Sequence, residues 1–245
     1  MLKVANMMKR SAWLTAALLG VATSCAAATP PAPHAIAAGY NVAWNGMQVA
    51  VMNETFEARD GGYRIVSESH AVGLAAMFLR QPLRLESNGR LTATGLQPLH
   101  FEGKRSDTDP RRARADFDWQ AGELTITRDG RTDVLKLPPT TQDLISSMYQ
   151  FMFLELEKQQ HFELAMTNGR KLDHYLYTVQ AGVEIETPLG RMTTLHLVKQ
   201  RRPDEGGIEI WLAPQHRYLP VKLVVLEESG SRYEQVITKL EITSP

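Results

Sequence analysis

One cysteine, Cys25, occurs in 245 residues, so no disulfide forms within the chain and stability has to come from core burial. Charge of neither sign dominates, because 27 Lys and Arg stand against 27 Asp and Glu. That balance gives no global field toward nucleic acid or anionic surfaces and favours a local interaction. Catalytic signatures are missing as well: there is no G-x-S-x-G, no S-x-x-K and no H-E-x-x-H,. The histidines are scattered, and no pair has helical or hairpin spacing suited to a metal,. His161 and Glu163 match the H-x-E of zinc deaminases without the cysteine pair that chemistry requires,. The expectation is therefore no metal, no cofactor and no nucleic-acid partner, and the sequence leans away from an enzyme.

A long hydrophobic run is also absent. Ser11 to Val21 is apolar but too short to span a bilayer comfortably,. Preceded by Lys3, Lys9 and Arg10 and followed by small residues through Ala28, it reads as a signal peptide over residues 1–28,. Two processing routes stay open. Ala26 and Ala28 form an A-x-A site for ordinary secretion, which discards Cys25,. Ala22-Thr23-Ser24-Cys25 is a degenerate lipobox, and by that route Cys25 is a lipidation site and the product a membrane-anchored lipoprotein,. The expected location is periplasmic or secreted, with membrane contact only if Cys25 is lipidated. Residues 29–39, rich in Pro and Ala, read as a spacer, leaving residues 40–245 as a single β-rich domain,.

What the chain does have is period-two patterning. Met47, Val49 and Val51 alternate with polar or small residues, Asp60-Gly61-Gly62 supplies a turn, and Tyr63 to Ser69 resumes the pattern,. Further strands are expected at 83–92, 97–104, 113–119, 123–128 and 132–137, with turn signals at Asn88-Gly89, Ala121-Gly122 and Asp129-Gly130,. One principal helix is predicted over Thr141 to Glu157. Thr140 with Asp143 gives a capping-box pattern, and Leu144, Met148, Met152 and Leu156 recur every four residues,. A second series of strands ends near Thr243, with Gly207 to Leu226 apolar on both faces,. The fold expected is mainly β: a large curved antiparallel sheet, or half-open β-barrel or roll, wrapped around that helix.

Several segments together resemble a bacterial family of secreted, envelope-associated proteins of unknown function. They are 73–78, Phe117-Asp118-Trp119, Leu137-Pro138-Pro139 with Gln142-Asp143, 186–190, and Ile210-Trp211-Leu212-Ala213 with Leu219-Pro220-Val221-Lys222. The resemblance implies no activity. At the level of fold it is similar to periplasmic lipoprotein carriers, which implies an apolar cavity between a curved sheet and a helix.

Candidate site residues follow from side-chain chemistry. Trp44, Phe78, Trp119, Tyr149 and Trp211 lie in or beside apolar segments, and aromatic rings line sites for acyl chains; plain core packing is the alternative for each,. Residues 71–79 are apolar without alternation and read as a short helix or a flexible apolar flap over a cavity mouth, with an ordinary buried connection as the plainer alternative,. Glu86, Asp116, Asp118 and Glu184 are the candidates for paired glycosidase-type carboxylates, with surface pairing to Arg84 and Arg114 as the plainer reading,. Asp107-Thr108-Asp109 reads as a solvated turn in preference to a divalent-cation site, and the basic runs at 111–114 and 199–202 as exposed loops and strand ends in preference to a face for lipid phosphates, lipopolysaccharide or anionic polymers,. The expected function is binding of an apolar or amphipathic ligand such as a lipid or acyl chain in the cell envelope. A glycan- or ester-active hydrolase and a structural or interaction module are the alternatives.

Overall fold

The computed structural model describes residues 32–202 and 204–244. The expected signal peptide, Cys25, the first residues of the spacer and Pro203 lie outside the described residues. The first half of the chain forms β1 (Ala35–Trp44), β2 (Met47–Arg59), β3 (Gly62–Ala71), β4 (Leu83–Thr92), β5 (Gly95–Lys104), β6 (Ala113–Asp118), β7 (Glu123–Arg128) and β8 (Arg131–Lys136). The second half adds β9 (Gln142–Asp143), β10 (His161–Thr167), β11 (Leu172–Thr187), β12 (Gly190–Lys199), β13 (Gly207–Ala213), β14 (Leu219–Leu226) and β15 (Arg232–Thr243). Two short helices, α1 (Ala75–Phe78) and α2 (Ser146–Gln150), interrupt the strands.

All the strands belong to one 15-stranded sheet whose spatial order is β8 through β1 and then β15 down to β9. Each wing is a meander of neighbouring strands, as period-two segments separated by short turns favour. The wings are joined where the first and last strands pair antiparallel, Ala35 opposite Thr243 and Trp44 opposite Tyr233. Only the short β9 runs parallel to its neighbour β10. The sheet rolls up: Gln142 of β9 donates to the carbonyl of Leu96 in β5 (2.9 Å), and Leu96 N–H donates to Gln150 of α2 (2.7 Å). The far edge of the second wing thus returns against the inside of the first, enclosing the α2 segment.

That segment divides its apolar side chains between two cores. Ile145, Tyr149 and Met152 pack with Phe56, Tyr63, Phe101 and Leu124 of the first wing. Phe151 and Leu156 pack with Leu164, Tyr177, Leu197 and Ile210 of the second. A third core lies where the wings meet, around Tyr40, Met52, Trp211 and Ile237.

Four expectations are corrected. Ala35 to Ala38 are not spacer but strand, with Ile36 and Ala38 buried between β2 and β15, because their small and apolar side chains fit the inner face. The helix expected over residues 141–157 is confined to Ser146–Gln150 and continues only as 3₁₀ turns at Phe151–Phe153 and Leu156–Lys158. Tertiary anchoring overrides the four-residue period here: Gln142 and Gln150 clamp β5, and the apolar residues serve two different cores,. The cap is Asp143 rather than Thr140. Its carboxylate accepts the N–H groups of Ile145 and Ser146 while Ser146 Oγ accepts the N–H of Asp143, a reciprocal pair three residues downstream of the expected one,. Finally, Asn88-Gly89 is no turn but lies inside β4 at a register shift, where a Cβ on Gly89 would meet Gln97 O at 2.1 Å,.

Candidate functional site

β1 alternates regularly, placing Ile36, Ala38, Tyr40, Val42 and Trp44 on one face,. The first three are buried, and Trp44 carries that face beyond the covered part of the sheet. Its cross-strand partners are Met47 in β2 and Tyr233 in β15, both exposed. In β2 the register passes from Val42 opposite Ala50 to Ala43 opposite Gln48, so Val49 is the extra residue of a bulge,. Its carbonyl accepts the N–H of Val72 (2.8 Å), which ties the β3–β4 connection to the same end of the sheet.

That connection then turns outward. Gly73 has φ of 57°, a conformation that costs glycine little, and its carbonyl accepts the N–H of Ala76 at the start of α1,. No residue of α1 is buried. Phe78 is 82 % exposed, Leu74 72 % and Met77 68 %. A short helix made of Ala-Ala-Met-Phe that lies beside β2 and β3 but buries none of its residues is an exposed apolar patch of the kind monomeric proteins seldom carry without use,. Together with Leu79, Trp44, Met47 and Tyr233 it forms an apolar tip spanning β15, β1, β2 and the β3–β4 connection.

Charge at the tip is one-sided. No Asp or Glu occurs between Glu68 and Glu86, whereas Arg80 directly follows the apolar run. Arg105 donates to the carbonyl of Gln81 (3.1 Å), and at the β1–β2 turn Asn45 N–H donates to the carbonyl of Arg232 while Arg232 N–H donates to the Asn45 side-chain oxygen. Of the acids at this end of the sheet, Asp107 is held by Lys104 and Glu234 by Lys222 and Arg232.

The five aromatic candidates do not come together in one cavity. Trp44 and Phe78 belong to the tip. Trp119 is half-buried at the β6–β7 turn, stacked on Phe117 at 6.0 Å with its indole N–H on the carbonyl of Pro98 (2.6 Å). Trp211 lies in the third core between His196, stacked at 4.2 Å, and Lys222, whose Nζ is 5.2 Å from the ring centroid. Tyr149 is buried in the first core, 5.3 Å from the ring of Phe56.

Tyr149 leads to residues the sequence reading missed. Its hydroxyl donates to Glu54 (3.2 Å), a buried acid that also hydrogen-bonds Ser67. Burial pushes the Glu54 carboxyl up to about 7, against the pull of those two donors,. Under the start of α2, Ser87 donates to Asp143 (2.5 Å) and is itself within hydrogen-bond distance of the Tyr63 hydroxyl (3.2 Å). Burial raises Asp143 to about 6, opposed by its backbone and hydroxyl donors. A signal for Glu54 was present: it shares its strand face with Met52 and Phe56.

The acids singled out as a catalytic pair stand elsewhere, on strand faces and turns. Glu86 is bridged to Arg64 and Arg84, and Asp116 to Arg114 and His100. Asp118 accepts N–H groups of its own turn, and Glu184 faces Arg191. Asp109 likewise organises its turn by accepting the N–H groups of Arg105 and Arg111.

Among solved structures, the chain is similar to a beta-barrel-like protein of domain of unknown function DUF1849 from Brucella abortus. Identity is 12 % and the TM-score 0.54, over 86 % of this chain and 99 % of that one, so the likeness is one of fold. A Bacteroides fragilis protein with a YmcC-like fold aligns over 86 % of this chain and 97 % of its own at 10 % identity and a TM-score of 0.33. No curated protein matches the sequence. A family model described as a protein of unknown function, DUF3108, matches residues 39–237.

Proposed function

We propose, from the premise that the chain belongs to the DUF3108 family of proteins of unknown function, that it is a non-enzymatic envelope protein that binds apolar or amphipathic molecules at the tip. The observation that carries this reading is α1, an apolar helix with no buried residue, where Phe78, Leu74 and Met77 are the most exposed large apolar side chains among the described residues. Covering Leu74, Met77 and Phe78 with an acyl chain would contribute roughly 5 to 9 kcal/mol before the costs of association. The interior supports the same view from the other side. Glu54 and Asp143 have perturbed carboxyls but are enclosed and hydrogen-bonded to the protein's own groups, which suits structure better than turnover,. The hydrolase alternative needs two carboxylates across a cleft, and the acids proposed for it are ion-paired or hold turns,.

Envelope location remains part of the proposal and rests on the signal-like residues 1–28. Among the described residues no helix is long and apolar enough to cross a membrane. The ligand reading is tested by titrating a fluorescent single-chain amphiphile below its micelle concentration. Saturable binding accompanied by a rise in melting temperature is expected. No saturable binding and no thermal shift would reject the reading.

A further inference from the structure

We infer that the tip is a docking surface for an anionic lipid bilayer, seated through α1 and its flanking residues and independent of any lipid on Cys25. The inference rests on the reading of the tip as a binding site and names the partner. Three observations favour a bilayer over a protein groove or a second copy. Phe78, Leu74 and Met77 sit in the connection between β3 and β4 and are the most exposed large apolar side chains among the described residues, whereas side chains lining a groove are partly covered. At the same end of the sheet, Trp44 and Tyr233 are adjacent across β1 and β15 and are the residue types that settle at the boundary between lipid tails and headgroups,.

Charge completes the match. Within residues 69–85 the charged side chains are Arg80 and Arg84, and no acid is present. Arg84 is engaged by Glu68 and Glu86, whereas Arg80 follows directly on the apolar run, one residue from Gln81, whose carbonyl holds Arg105. Residues 35–53, which include the β1–β2 turn, contain no charged side chain of either sign. Glu227 and Glu228 occupy the β14–β15 turn on the opposite flank, beyond Arg232. An apolar wedge followed by Arg80, with no acid within residues 35–53 or 69–85 and Glu234 neutralised by Lys222 and Arg232, suits phosphate headgroups above acyl chains,.

The sole cysteine makes the test site-specific. In the chain as processed by the cell, with Cys25→Ala wherever that residue is retained, an environment-sensitive fluorophore is placed at Met77→Cys. The control label is placed at Leu189→Cys, an exposed apolar position in the β11–β12 turn at the far end of the sheet. Vesicles of phosphatidylcholine with about a third phosphatidylglycerol should shift the label at 77 to the blue and expose it to quenchers carried on lipid tails, leaving the label at 189 unchanged. Arg80→Glu should weaken binding to those vesicles by about tenfold, reflecting a charge reversal at the surface, with little change on pure phosphatidylcholine.

A label at 77 that stays in water with every vesicle composition overturns the inference. If the single-chain amphiphile still shifts it, binding at the tip stands without the membrane; if it does not, both readings fall. Equal binding to neutral and anionic vesicles overturns the choice of an anionic bilayer. A shift that grows with protein concentration and needs no vesicles identifies a second copy as the occupant and overturns the inference as well.

Discussion

α1, Ala-Ala-Met-Phe, and the apolar series from Leu144 to Leu156 that runs through α2 have opposite surroundings. α2 is packed between the two wings of the sheet, with Tyr149 fully buried and Gln150 clamped to β5. α1 presents every residue to solvent. Apolar composition alone therefore does not say which segment builds the core. The difference lies in the polar anchors: Asp143, Ser146, Gln142 and Gln150 fix α2 inside the roll, whereas α1 is held by local backbone bonds and the link between Val72 and Val49. One helix serves the fold, and the other leaves its large apolar side chains open to solvent.

The contrast is broken most severely at α2. Tyr149→Ala removes a ring stacked on Phe56 and leaves Glu54 without one of its donors. A loss of about 3 to 5 kcal/mol is expected in denaturant titration. A loss below about 1 kcal/mol would mean that α2 is peripheral to the core.

Next in size is the pH dependence set by the buried acids. Glu54 is raised from 4.5 to about 7 in the folded protein, so between those values the native state holds a proton that the unfolded chain has released. This contribution to stability is fully present below about pH 4.5 and is lost as pH rises through about 7. It amounts to about 3 kcal/mol. Asp143, raised from 3.8 to about 6, adds a slope of the same sign at lower pH. Glu54→Gln should match the parent at pH 4 and exceed it at pH 8, read from urea midpoints at the two pH values. Parallel stability curves across that range would contradict the assignment.

A smaller effect probes the clamp. Gly95 has φ of 108°, and a Cβ there would lie 2.4 Å from the Gln150 side-chain oxygen. Gly95→Ala should cost about 2 kcal/mol through strain and the displaced Gln150. Gln150→Ala in the same background should recover part of that loss, and failure to do so would place the strain in the backbone alone.

Much of this architecture is legible in the sequence. Period-two alternation locates most strands of the first wing, and Asp60-Gly61, Ala121-Gly122 and Asp129-Gly130 mark real hairpin turns. The pairing of β1 with β15 is not legible, because it joins segments far apart in the chain whose match depends on the closed arrangement of both wings. The long helix fails for a related reason: a four-residue recurrence describes which residues are buried, and two cores on opposite sides can bury them without four turns of helix. Of the site, the apolar stretch 71–79 and the residues Trp44 and Phe78 stood out by chemistry. Their convergence at one end needed the bulge at Val49 and the register of β15. Trp119 and Trp211 carried the same chemical signal but are spent on packing and stacking.

The smallest effect on stability and the largest on binding is expected at α1. The direct measurement is the doubly substituted Met77→Ser, Phe78→Ser chain, compared with the parent by melting temperature and by titration with the single-chain amphiphile. The tip account predicts stability within about 0.5 kcal/mol of the parent, since exposed side chains without partners contribute little to folding, and binding weakened at least about tenfold. Unchanged amphiphile binding, or a loss of stability comparable to that of Tyr149→Ala, would contradict it.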